Sequence, residues 1–190
     1  QQRTLAPACR QRLVDQLLQR LDAEARQRLA VHEILGRLGH LQRLRVEQIL
    51  LDDAGESLHP HQVPRCIFTE PEVAHIGPLE SECEGAVRVS RLSFGALGKS
   101  YCDDEPEGFV KLLVDQDSDR VLGATIVGAN ASSLIHDAVL AVHHGLTAKQ
   151  LARTITAHPT MPEAITEAAA HLYGESLVVA SRASRNRTPV

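Results

Sequence analysis

The sequence predicts an α+β fold: an antiparallel sheet with helices packed on one face, preceded by a small helical segment. Three observations predict it. Residues 65–127 hold short β-prone runs bounded by turn residues, one of them alternating apolar and polar residues. The polar link Asp115-Gln116-Asp117-Ser118-Asp119-Arg120 joins two of these runs as a hairpin would. Beyond residue 130 the apolar period changes to that of helices, with start and stop signals in place. Strands first and helices afterwards place the helices together rather than between parallel strands.

Residues 1–58 come first and differ from the rest. They are rich in Leu, Arg and Gln and lack strand-like runs. Leu13, Val14, Leu17, Leu18 and Leu21 make one apolar stripe on a helix, and Pro7 suits its first turn. A second helical stretch carries Leu29, Ile34, Leu35 and Leu38, weakened by Gly36 and Gly39. A third short one runs through Leu41, Leu44, Val46 and Ile49. The stripe requires a partner surface, either the rest of the chain or another protein. The break Asp52-Asp53-Ala54-Gly55-Glu56-Ser57, with Pro60 and Pro64 after it, sets the boundary to a domain spanning residues 63–176.

In that domain Arg65-Cys66-Ile67-Phe68-Thr69 and Val73-Ala74-His75-Ile76-Gly77 read as short strands about a turn at Glu70-Pro71-Glu72. Ala86–Leu92 is the alternating, half-buried strand. Gly108–Val114 and Val121–Val127 form the hairpin. On the first helix Leu134, Ile135, Ala138, Val139 and Val142 share a face, and Gly145 sits where a C-cap glycine belongs. Thr147-Ala148-Lys149-Gln150 and Thr160-Met161-Pro162-Glu163 both match a capping box, so further helices start there, the last running to about Tyr173. Residues 177–190 are a polar, basic tail, expected to fray.

Composition narrows the function. With 190 residues, 43% apolar and 23% charged, the chain is an ordinary globular protein with one core and room for a helical annex. A net charge of −4 disfavours nucleic acid as the main partner. No apolar run is long enough to span a membrane, and no signal-peptide pattern opens the chain. Cys9, Cys66, Cys83 and Cys102 lie too far apart for a C-x-x-C pair, which favours reduced thiols in a cytoplasmic protein. His59-Pro60-His61 and His143-His144 lack a surrounding carboxylate or thiol cluster, so no metal site is expected.

The sharpest chemical signal is His158-Pro159-Thr160-Met161-Pro162-Glu163. A histidine is a general base near neutral pH, and a carboxylate that fixes one ring nitrogen improves it. The chain reverses at two prolines, so His158 and Glu163 can meet. Glu163 is equally explained as the third residue of a capping box with Thr160, without any catalysis.

Four ordered segments resemble one family. They are Pro64-Arg65-Cys66-Ile67-Phe68-Thr69-Glu70-Pro71-Glu72-Val73-Ala74-His75-Ile76-Gly77, Gly108-Phe109-Val110-Lys111-Leu112, Arg120–Gly128, and His158-Pro159-Thr160 with Glu163. From Val63 to about Ser176 the chain is similar to the C-terminal dimerisation domain of the pyridine nucleotide–disulfide oxidoreductases, the family of dihydrolipoamide dehydrogenase, glutathione reductase and mercuric reductase. The resemblance implies a homodimer. It further implies that the His-Pro segment reaches the partner subunit's flavin and redox disulfide. By position His158 would be the acid–base group and Glu163 its orienter, with the His158–Pro159 peptide often cis in the family.

No G-x-G-x-x-G turn after a strand is present to hold FAD or NAD(P), and no redox cysteine pair is present. Gly95-Ala96-Leu97-Gly98 leads to no convincing helix, and Gly123 to Gly128 belongs to a strand. The leading expectation is therefore a homodimeric scaffold or interaction module with no cofactor of its own. The alternative is a subunit of a split oxidoreductase, supplying His158 and Glu163 to a separate flavoprotein that carries FAD, with NAD(P) as co-substrate. Two further readings are a piece of a longer enzyme, and a small-ligand or metal site at His136, His143 or His144.

Overall fold

In a computed structural model of the chain, residues 60–83 and 85–179 are described. The expected N-terminal helices of residues 1–58 and most of the basic tail lie outside the described residues.

Five strands form one antiparallel sheet: β1 (Arg65–Ile67), β2 (Val73–Ile76), β3 (Val87–Ser93), β4 (Gly108–Asp115) and β5 (Val121–Gly128). Their spatial order is β1-β2-β5-β4-β3. Alternation along the strands sorts the side chains onto two faces. Register places Ala74, Ile126, Val110 and Leu92 in one row across four strands, and Ile76, Ala124, Leu112 and Ser90 in the next. All eight are buried. Helices α3 (His136–His143) and α5 (Glu163–His171) pack over these rows, α3 against β2 and β5, α5 against β3 and β4. Two short helices, α2 (Ala131–Leu134) and α4 (Ala148–Ala152), complete the helical layer. The fold is α+β, with helices packed against an antiparallel sheet.

Several junctions form as their residues dictate. Gly145, at φ +59°, ends α3: Leu146 N–H reaches the Ala141 carbonyl at 2.9 Å and Gly145 N–H the Val142 carbonyl at 3.3 Å. At the start of α4, Thr147 Oγ1 accepts from Gln150 N–H at 3.1 Å, while Gln150 Oε1 accepts from Thr147 N–H at 2.8 Å. Asp115 folds the β4–β5 turn by accepting from the backbone and hydroxyl of Ser118.

Two stretches differ from expectation. A 3-10 turn at Phe94–Ala96 runs into α1 (Gly98–Cys102), where no helix was expected. Its anchors are tertiary: Phe94 is fully buried, and Ser100 Oγ sits 2.8 Å from the carbonyls of both Phe94 and Leu97. The second difference concerns Thr160. The capping pattern places its hydroxyl on the first turn of the last helix, but that hydroxyl instead donates to the Ala157 carbonyl at 2.7 Å. Only half of the box forms, through Glu163 Oε2 accepting from Thr160 N–H at 2.7 Å. The helix then starts at Glu163, with Met161 and Pro162 in a turn before it.

Candidate acid–base site

The site is built on the loop from α4 to α5. Helix α5 is anchored by Ala164, Ile165, Ala168 and Ala169, all buried in the core. That anchoring fixes Glu163, its first residue, whose side chain is 17% exposed. The preceding loop stays outside: Ile155 is 97% exposed and the His158 side chain 78%. The His158–Pro159 peptide is cis. His158 Nδ1 lies 2.8 Å from Glu163 Oε1. A carboxylate only accepts, so Nδ1 carries the proton and the lone pair is on Nε2. Nε2 has no hydrogen-bond partner among the described residues and is presented outward.

Burial pushes the Glu163 carboxyl up, but the Thr160 N–H and the hydrogen bond and charge of His158 outweigh it. The net effect holds Glu163 below the usual carboxylate range, so it is ionised wherever His158 could act. The two residues singled out from sequence are therefore brought together. Ile155, three residues before His158, is almost fully exposed and was not singled out from the sequence.

Other groups do not join this site. His75 is half-buried and fully occupied, with Nδ1 2.9 Å from Thr125 Oγ1 and Nε2 2.8 Å from the Gly77 carbonyl. Burial, the largest influence on it, lowers its pKa and keeps it neutral. His136 and His143 bond to the carbonyls of Ser133 and Gln62. Among the described residues no group of three His, Cys, Asp or Glu side chains could hold a metal ion. Cys66, Cys83 and Cys102 are free thiols. Burial raises the pKa of Cys66 and Cys83, and neighbouring carboxylates add to it, which makes both poor nucleophiles.

Gly123 and Gly128 do not cradle a phosphate. A Cβ on Gly123 would lie 2.6 Å from the Ile76 carbonyl oxygen, and one on Gly128 2.5 Å from the Phe94 ring. Strand-to-strand and ring-to-backbone packing already fill these approaches, so neither glycine leaves room for a phosphate.

Residues 63–169 match the family described as the pyridine nucleotide-disulphide oxidoreductase dimerisation domain. The chain belongs to this family. Among its relatives, the mitochondrial dihydrolipoyl dehydrogenase of Dictyostelium discoideum is 42% identical over 135 residues, which cover 70% of this chain and 27% of that one. Mitochondrial dihydrolipoyl dehydrogenase 1 of Arabidopsis thaliana is 40% identical over 119 residues, 61% of this chain and 24% of the relative. The crystal structure of LpdA from Mycobacterium tuberculosis superposes with a TM-score of 0.63 at 27% identity, covering 70% of this chain and 29% of that one. The chain thus spans about a quarter of the length of the curated relatives it matches. As a member of the oxidoreductase family it carries the dimerisation domain, with the His158–Glu163 pair assembled inside the matched segment. No helix among the described residues is long and apolar enough to cross a membrane.

Proposed function

We propose that this domain forms a homodimer and lends the His158–Glu163 pair, as proton acceptor and donor, to a dithiol–disulfide exchange site. The rest of that site, including the redox disulfide and the cofactors FAD and NAD(P), is supplied by residues outside the described domain, on a flavoprotein partner or on further polypeptide. The observation that carries this reading is the His158 ring itself: one nitrogen is fixed 2.8 Å from a carboxylate while the other faces outward. A pure scaffold needs neither half of that arrangement. The free thiols among the described residues suit a reducing compartment such as the cytoplasm.

The chemistry follows from the tautomer. Nε2 takes the proton of a thiol, so an S–H bond breaks as an N–H bond forms. The thiolate attacks a disulfide sulfur, and the leaving sulfur departs as a thiolate. Ionised Glu163 stabilises the imidazolium that results, and the proton on Nε2 is returned to a product thiolate. Ile155, exposed on the same loop, suits burial against a second subunit.

The test is a His158→Gln substitution in the assembly reconstituted with a flavin-containing reductase partner, with the mass read by light scattering. The dimer should survive, and thiol–disulfide turnover should fall by roughly 100-fold or more, the usual share of general acid–base catalysis. Turnover unchanged in the variant, or a monomeric wild type, would defeat the proposal.

A further inference from the structure

We propose that Thr160 is the positioning residue of the pair, closing the loop around His158 and aiming Glu163 at its ring. The inference rests on the acid–base reading above, and it concerns how the pair is held rather than what it does.

His158 is mostly solvent-exposed, so packing does not set its ring orientation; the bond to Glu163 Oε1 is the contact that does. Glu163 has a second oxygen, and Thr160 N–H holds it at 2.7 Å. One carboxylate therefore spans the histidine on one side and the backbone of Thr160 on the other. The Thr160 hydroxyl closes the remaining gap by donating to the Ala157 carbonyl at 2.7 Å. Ala157 is thus tied to Thr160 across His158-Pro159, and Thr160 in turn to Glu163.

Ordinary helix capping does not account for this hydroxyl. A capping threonine accepts from a backbone N–H in the first helical turn, as Thr147 does at α4. Thr160 donates backwards instead, away from α5, to the residue that precedes the histidine. The geometry spends a good capping hydroxyl on the loop that carries the base. Orientation of a catalytic group by the residues behind it is a general requirement, since small misplacements lose large factors in rate.

The experiment uses the full chain labelled with ¹⁵N and long-range nitrogen–proton correlation of the imidazoles, with His158 assigned by its loss in His158→Gln. The Glu163 titration is followed by carboxyl ¹³C shifts. Thr160→Val removes the hydroxyl and keeps the shape, Thr160→Ser keeps the hydroxyl, and Thr160→Ala stands in for Val if that variant does not fold. In the wild type His158 should show the Nδ1-protonated tautomer. Loss of the hydroxyl should give a mixture of tautomers and move the Glu163 midpoint up toward the ordinary carboxylate value, with Thr160→Ser restoring both. A folded Thr160→Val or Thr160→Ala protein with wild-type tautomer and wild-type Glu163 titration would overturn the positioning role alone. A wild type lacking the Nδ1-protonated form would overturn the acid–base reading and this inference together.

Discussion

Glu163 has two oxygens and both are in use, one on His158 Nδ1 and one on the backbone of Thr160. Glutamine offers one oxygen and one NH2, so Glu163→Gln keeps both bonds only by donating to Nδ1 and fixing the ring in the other tautomer, and it removes the negative charge beside the ring. In the reconstituted reductase, turnover should drop by about 10- to 100-fold, less than for loss of His158 itself. A variant with wild-type turnover would mean that the carboxylate serves only the fold. Both residues were legible in the sequence because a histidine and a carboxylate five positions apart, around two prolines, leave a local trace. The Thr160 hydroxyl was not legible: the same four residues permit a forward cap or a backward bond, and the choice depends on the path of the loop from α4. His75 was equally hidden, since its partner Thr125 lies on a strand fifty residues further on.

At the level of elements, one carboxylate ties the β4–β5 turn to three other parts of the domain. Asp119, at φ +61°, accepts from the Tyr173 hydroxyl at 2.5 and 2.7 Å, from Lys149 N–H at the start of α4 at 3.1 Å, and from the Arg88 guanidinium on β3. Lys149 Nζ lies 4.3 Å from the centre of the Tyr173 ring and pairs with Glu175 at 2.6 Å. Burial pushes Asp119 up, but the tyrosine, the Lys149 amide and Arg88 together hold it below the usual value. A carboxyl depressed in the folded state contributes stability that is present above its unfolded pKa and lost as pH falls through the folded one. Asparagine tolerates the left-handed backbone, so Asp119→Asn tests the charge with little added strain. The wild type should lose denaturant stability as pH falls from about 4 into the acid range, and Asp119→Asn should lose less over that window. Parallel curves would show that the knot contributes no pH-dependent stability. None of this knot was visible in the sequence, because its members come from four separated segments. The strands, the end of α3 and the start of α4 were visible, because alternation, a terminal glycine and a reciprocal cap act within a few residues; the break at Ile135 between α2 and α3 was not. The Phe94–Cys102 stretch was not, since so short a helix draws its stability from burial rather than from its own turns.

For the whole molecule, the α+β fold class was readable because the change from strand to helix period is ordered along the chain. The strand order was not, because no local pattern tells β2 to lie beside β5. That neighbourhood has a kinetic consequence. The β4–β5 pair closes across residues 116–120, whereas the β2–β5 pair must close across residues 77–120. By the logarithmic law for loop closure, the longer closure costs about 2 kcal/mol more entropy when nothing else is yet ordered. The meander β3-β4-β5 should therefore assemble first and serve as the template on which β1 and β2 dock late. In stopped-flow experiments Val110→Ala on β4 should mainly slow folding, and Ile76→Val on β2 should mainly hasten unfolding. Equal slowing of folding by both would place β2 in the nucleus. On the expected route, β1 and β2 are also the first strands to detach, so brief local opening would bare the β5 edge while the helix carrying Glu163 still sits on β3 and β4.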